Sequence, residues 1–163
     1  MKNLHASTRF LTAGAMIAAL YVLLTWISAL CGLSSGVIQC RLSEALCVLP
    51  LFTPAAVPGL FVGCLLANLL TGAVFYDVLF GSLATLIGAA VTYLCRKAPF
   101  WLAPLPTIIA NAAVIPFVLQ FCYGAEESYW FLLLTVTAGE VISAGILGNC
   151  FAWVLRRRKN IWK

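Results

Sequence analysis

The sequence predicts an all-α, polytopic membrane protein, and three observations predict it. Apolar residues make up 63% of the 163 residues and charged residues 9%, against about 45–50% and about 25% in a soluble domain. A core able to bury that surplus exceeds what a chain of this length can build, and disordered chains are polar and charge-rich. The few charges also lie between long uncharged runs, at residues 10–40, 45–76, 78–95 and 98–125; after Ser128 only Glu140 interrupts the apolar sequence up to Leu155. Finally, a spanning helix takes about 20 apolar residues, so the length accommodates six spans with short loops. The expectation is one membrane-embedded domain over residues 1–163, with cytoplasmic tails at 1–9 and 156–163 and no separate soluble domain.

The first run follows Lys2 and Arg9 as a secretory signal would, but its apolar stretch continues past the ~7–15 residues of a signal core. Residues 28–31 faintly resemble a lipoprotein cleavage site, except that the bulky Leu30 stands where a small residue is needed. A retained first helix over about 10–30 is expected. Residues 45–76 are long for one span and short for two, and they hold Pro50, Pro54 and Pro58. Proline removes a backbone donor and breaks helix interiors, so 54–59 reads as a turn between helices at about 42–52 and 59–71. The remaining helices fall at about 78–94, 104–121 and 128–155.

Lys and Arg favour the cytoplasmic side, which tests the count of six. With the N-terminus inside, nine of the ten basic residues lie inside, and Arg41 alone lies outside, beside Asp77, Glu126 and Glu127. Merging the second and third helices would put the Arg156–Lys159 cluster outside. The net charge of +5 thus reports membrane orientation and contact with anionic lipid, with no nucleic-acid partner expected. The seven cysteines are scattered with no CxxC, and the one histidine, His5, sits near the N-terminus, so neither a metal nor a cofactor is expected.

Ionisable groups at membrane depth are costly and point to function. Arg41 and Glu44 stand at i,i+3, which suits either a local ion pair or, with Gln39, a pocket wall. Glu140 lies about twelve residues, or roughly 18 Å, into the last helix. It requires a partner such as Arg41, a proton or a ligand, and the neighbouring Gly139, Ser143 and Ala144 leave room for close approach. Asp77 is placed to cap the fourth helix. Asn68 and Asn111 lie within apolar helices, as interhelical links or as contacts for a heterocycle. Gly14/Ala18 and Ala15/Ala19 form small-residue pairs at i,i+4, which suit internal packing or docking of a partner helix. No GxxxxGK[ST] or HExxH occurs, and Gly32-Leu33-Ser34-Ser35-Gly36, which fits the bare GxSxG pattern, has no histidine in a span to serve as its base, so binding is better supported than catalysis.

On several of these residues the chain resembles the QueT family, the substrate-binding (S) components of energy-coupling-factor transporters assigned to queuosine precursors. The segments run from about residue 15 to 148. They include Ala18-Ala19-Leu20-Tyr21-Val22, Gln39-Cys40-Arg41-Leu42-Ser43-Glu44-Ala45-Leu46, residues 59–68, Asp77-Val78-Leu79-Phe80-Gly81-Ser82-Leu83-Ala84-Thr85-Leu86, residues 106–111 and Gly139-Glu140. Cys40 departs from the aromatic or apolar residue expected there. The resemblance implies a six-helix S-component fold in the plasma membrane with both termini cytoplasmic. Its implied partners are a transmembrane coupling subunit and two ABC ATPases, which would supply the ATP hydrolysis this chain lacks.

The implied ligand is a 7-deazaguanine: 7-cyano- or 7-aminomethyl-7-deazaguanine, or queuine. Its guanine edge presents two donors side by side, which a carboxylate accepts with charge-assisted strength. Glu140 is the first candidate and Glu44 the second. Gln39, Asn111 or Arg41 would serve the ring carbonyl, and Asp77 a cationic aminomethyl group. Asn68 completes the polar set, while Tyr76, Tyr129 and Trp130 stack on the ring or sit in an interfacial aromatic belt. Gly14, Ala15, Ala18 and Ala19 would form the docking face. The alternatives are an S component for another heterocyclic vitamin such as thiamin, a stand-alone secondary transporter, and a lipid-directed membrane enzyme, for which no nucleophile–base set is evident.

Overall fold

The computed structural model describes residues 2–33 and 39–157, and over these the chain is helical with no strand. Of the basic tail, Arg158, Lys159 and Lys163 lie outside the described residues. Helix α1 spans Lys2–Leu30, followed by a 3-10 helix Leu42–Leu51, α2 Ala56–Leu70, α3 Phe75–Leu94, α4 Leu105–Phe121 and α5 Tyr129–Glu140. From α5 the chain continues through a widened π-helical stretch, Val141–Leu147, into α6, Gly148–Arg157. Four helical stretches are long and apolar enough to cross a membrane: Ser7–Leu30, Phe75–Leu94, Phe100–Phe121 and Tyr129–Arg157. Two shorter apolar helices, Leu42–Leu51 and Ala56–Leu70, accompany them. The chain is therefore a polytopic helical membrane protein.

The helices depart from the sequence expectation in their boundaries and in one helix type. Helix α1 begins at Lys2, not near residue 10, because nothing between 2 and 9 breaks a helix; the expected tail is a helical extension. The turn before α2 is confined to residues 52–55, and Pro58 lies within the first turn of α2. Proline is tolerated there because first-turn N–H groups have no intrahelical acceptor. Most consequentially, the second helix is 3-10 throughout its ten residues. At about 2.0 Å rise per residue it covers about 20 Å, further than an α-helix of the same length.

Runs of 3-10 helix this long are uncommon, and here α1 grips the first turn. Ser28 Oγ accepts the Leu42 N–H at 2.9 Å, and the Thr25 hydroxyl donates to Ser43 Oγ at 2.8 Å. The 3-10 helix runs antiparallel to α1 and lies at the centre of the bundle, with Ser43, Cys47 and Val48 wholly buried. Its far half meets α6, where Gly148 leaves room for Val48 and Ala45.

Helices α1 and α2 are parallel neighbours in close contact. A Cβ at Gly59 would stand 2.7 Å from the Gly14 carbonyl oxygen, and one at Gly63 would stand 3.0 Å from Ala18 Cα. Gly14 and Ala18 are thus engaged in packing against the Gly59/Gly63 ridge, as small residues permit. Ala15 and Ala19, one residue on, remain exposed. Antiparallel α3 and α4 approach in the same way, with Gly88 facing Thr107. The bundle has two ends. One carries the 71–74 and 122–128 connections; the other carries the 52–55 turn, the 95–104 connection, Arg156 and Arg157.

Candidate functional site

Between Gln39 and Glu44 the chain drops into the bundle from the end carrying the 122–128 connection. Gly139 makes this possible, because the Gln39 backbone carbonyl occupies the place a Cβ would take. The Cys40 thiol faces the Gly139 carbonyl oxygen at 3.9 Å on the same contact. Arg41 is extended, at φ −103° and ψ 109°, so it and Glu44 do not share a helix face. They take different partners, and the local ion pair considered from their spacing is absent.

Arg41 reaches α2 and α3 instead. Its Nη1 donates to Asn68 Oδ1 at 3.2 Å, and its Nη2 stands 3.7 Å from Asp77 Oδ2. Asn68 Nδ2 donates to the Asp77 backbone carbonyl at 3.4 Å. The Tyr123 hydroxyl donates to Asp77 Oδ2 at 3.4 Å and accepts the Val74 N–H at 3.0 Å. Asp77 is therefore not the cap of α3: that helix starts two residues earlier, and the carboxylate joins segment 39–41 to the connection after α4. Glu44, 2% exposed, is committed as well. Its Oε1 accepts from the Tyr21 hydroxyl, and its Oε2 accepts from the Cys47 thiol at 3.1 Å.

Glu140 differs from both. Its Oε1 accepts from Asn111 Nδ2 at 2.9 Å, while its Oε2 is buried with no hydrogen-bond partner. Asn111 lies about 15 Å along α4 from Phe121, and Glu140 about 16 Å along α5 from Tyr129, so their pairing is at matched depth. Neither meets Arg41, so the structural pair of Glu140 with Arg41 does not form.

These groups surround a narrow cavity of about 430 Å³ of empty space, counting its mouth. Gln39, Arg41, Glu44, Asn111 and Glu140 supply its polar wall, and Ile115 and Val136 its apolar one, with Cys64, Gly81 and Thr85 completing it. Five of the eight residues singled out for ligand binding thus meet at one cavity. Asn68 and Asp77 stand behind Arg41 and hold it. Trp130 stands apart: it is 71% exposed and lies edge-on to Tyr129 at 5.9 Å between ring centroids. Placed in the first turn of α5, it faces the bundle's surroundings as an interfacial aromatic does, and among the described residues no aromatic ring lines the cavity. Sequence reasoning missed Tyr21, whose hydroxyl orients Glu44, because one tyrosine in an apolar helix carries no periodic signal. It also missed Thr85 and Cys64, small side chains indistinguishable from ordinary filler.

The small-residue strip divides between two roles. Gly14, Ala15 and Ala18 line a separate apolar groove with Phe10, Pro58 and Gly59, and Ala19 lies exposed beyond it.

The cavity has hydrogen-bonding groups and apolar walls but no evident nucleophile with a general base, an arrangement suited to holding a small polar molecule. The chain is 29% identical over 139 residues to the queuosine precursor transporter QueT of Lactococcus lactis subsp. cremoris (strain MG1363), covering 79% of this chain and 82% of that protein. No solved structure matches it. A family model described as QueT transporter matches residues 11–157; the chain belongs to that family and is a transporter, not an enzyme.

Proposed function

We propose that this chain is the substrate-binding S component of an energy-coupling-factor importer and that its ligand is a queuosine precursor of the 7-deazaguanine class. In this reading residues 1–163 form one membrane-embedded domain in the plasma membrane. The chain crosses six times, with both termini cytoplasmic and the Arg41–Tyr123 end outside. A coupling subunit docks on the exposed Ala15/Ala19 strip beside the Gly14/Ala18 groove, and two ABC ATPases supply the energy.

The observation that carries the ligand assignment is the buried, unpartnered Glu140 Oε2 at the cavity wall. A buried acceptor left unmade costs about 1–3 kcal/mol, and more when charged, so the site is built to receive a donor. The guanine edge brings two. Oε2 accepts one, and Oε1, with a second lone pair beyond the Asn111 bond, accepts the other. Ile115 and Val136 cover the ring faces, and Gln39 or Arg41 supplies a donor to the ring carbonyl. Asp77, already bridging Arg41 and Tyr123, acts by holding Arg41 in place.

The test is uptake of labelled 7-aminomethyl-7-deazaguanine in cells expressing the chain with and without a coupling subunit and its ATPases. Uptake only in their presence is expected. Uptake that persists without them would make the chain a secondary transporter and overturn the S-component reading.

A further inference from the structure

A second cavity, of about 580 Å³ of empty space counting its open mouth, lies at the end carrying the 122–128 connection. Its walls are the last turns of α4 (Leu119), the connection itself (Ala125, Glu127) and the first turns of α5 (Phe131, Thr135). It has two residues in common with the Glu140 cavity, Gln39 and Val136. Both lie where segment 39–41 docks on α5, since Gln39 packs against Gly139, one turn along that helix from Val136. Gln39 is fixed there by its backbone, which fills the space beside Gly139. Its amide side chain is therefore a movable polar group on an anchored stem, beside a stiff β-branched wall. The Arg41 side of the inner cavity is tied down by Asn68, Asp77 and Tyr123, whereas among the described residues no hydrogen bond or ion pair ties the Gln39 side chain to Val136's side of the wall.

We propose that this second cavity is an antechamber in which a flat heterocycle first binds, and that passage between Gln39 and Val136 is its route to Glu140. Antechamber contacts are transient: one exposed carboxylate, Glu127, the Thr135 hydroxyl, and the apolar Leu119 and Phe131. The proposal rests on the reading of the Glu140 cavity as the ligand site.

A constriction on a route that forms no part of the final site slows arrival and departure by the same factor, so it leaves Kd unchanged. That signature separates a passage from a binding contact. Thr135 and Leu119 line the antechamber but not the inner cavity, and Thr135→Phe or Leu119→Phe narrows it from facing walls. Rates are measured with radiolabelled 7-aminomethyl-7-deazaguanine on the purified full chain, kon by rapid filtration and koff by dilution, after a thermal melt confirms folding. Both rates are expected to fall by at least about tenfold, with Kd within about twofold of the unsubstituted protein. Unchanged rates in either folded variant would overturn the route, as would a Kd shift carried by koff alone. If the unsubstituted protein binds no deazaguanine, the functional reading itself fails, and that result is distinct from the other two.

Discussion

Replacing Glu140 with Gln tests the ligand site with the smallest change in shape. In the free protein Glu140 Oε1 holds Asn111 Nδ2 at 2.9 Å and Oε2 is buried without a partner. A glutamine has one oxygen and one NH2 to fill these two places. If the oxygen keeps the Asn111 bond, the NH2 points at the ligand's donors. If it turns to the ligand, the NH2 meets the Asn111 NH2. Either way a charge-assisted acceptor is lost, at about 1.5–3 kcal/mol, or roughly a 10- to 150-fold rise in Kd at 1.4 kcal/mol per decade. The free protein should not lose stability, because the carboxyl it replaces already has one buried oxygen unsatisfied. Isothermal titration with 7-aminomethyl-7-deazaguanine, together with a thermal melt, reads both quantities. Glu44→Gln is the control. Both Glu44 oxygens are taken by Tyr21 and Cys47, so that variant should lose about 1–3 kcal/mol of stability and less affinity than the Glu140 variant. A folded Glu140→Gln protein with unchanged affinity would remove Glu140 from the site and refute the reasoning.

Other outcomes follow from the packing and the proposed topology. Gly63→Ala places a methyl group 2.8 Å from Tyr21 Cβ and 3.0 Å from Ala18 Cα. It should cost about 1–3 kcal/mol by overpacking, seen as a lowered melting temperature. Ala15→Trp and Ala19→Trp should leave ligand affinity intact while abolishing co-purification with the coupling subunit and uptake; loss of binding with intact assembly would show that the strip packs internally. In single-cysteine variants, a membrane-impermeant thiol reagent applied to whole cells should label Cys31 and not Cys95, both of which are exposed. The reverse pattern would invert the proposed orientation.

The helices were legible in the sequence because each long uncharged run is a physical requirement of lipid burial, so the runs near 10–30, 78–94, 104–121 and 128–155 return as α1, α3, α4 and the α5–α6 run. The 3-10 helix was not legible. Leu42–Leu51 has the composition of any apolar helix, and what grips it are the hydroxyls of Ser28 and Thr25, some fifteen residues away. The site was legible as a list and illegible as a network. Charges and amides at membrane depth stand out singly, and Gln39, Arg41, Glu44, Asn111 and Glu140 do share one cavity. Which of them pair, however, is decided by depth and by the backbone before Leu42. Spacing and charge match Arg41 with Glu44 or Glu140, yet its extended backbone sends it to Asp77 and Asn68. Gly139 reads in the sequence as room for a ligand or another helix; its space is filled by the chain's own Gln39 carbonyl.

The central claim is that a cavity built around Glu140 and Asn111 binds a 7-deazaguanine without help from other subunits. The most direct test is titration of the purified chain alone with 7-cyano-7-deazaguanine, 7-aminomethyl-7-deazaguanine, queuine and thiamin. Saturable one-to-one binding of at least one deazaguanine, with none of thiamin, is expected. Binding of thiamin alone, or of none of the four by a folded protein, would contradict the claim.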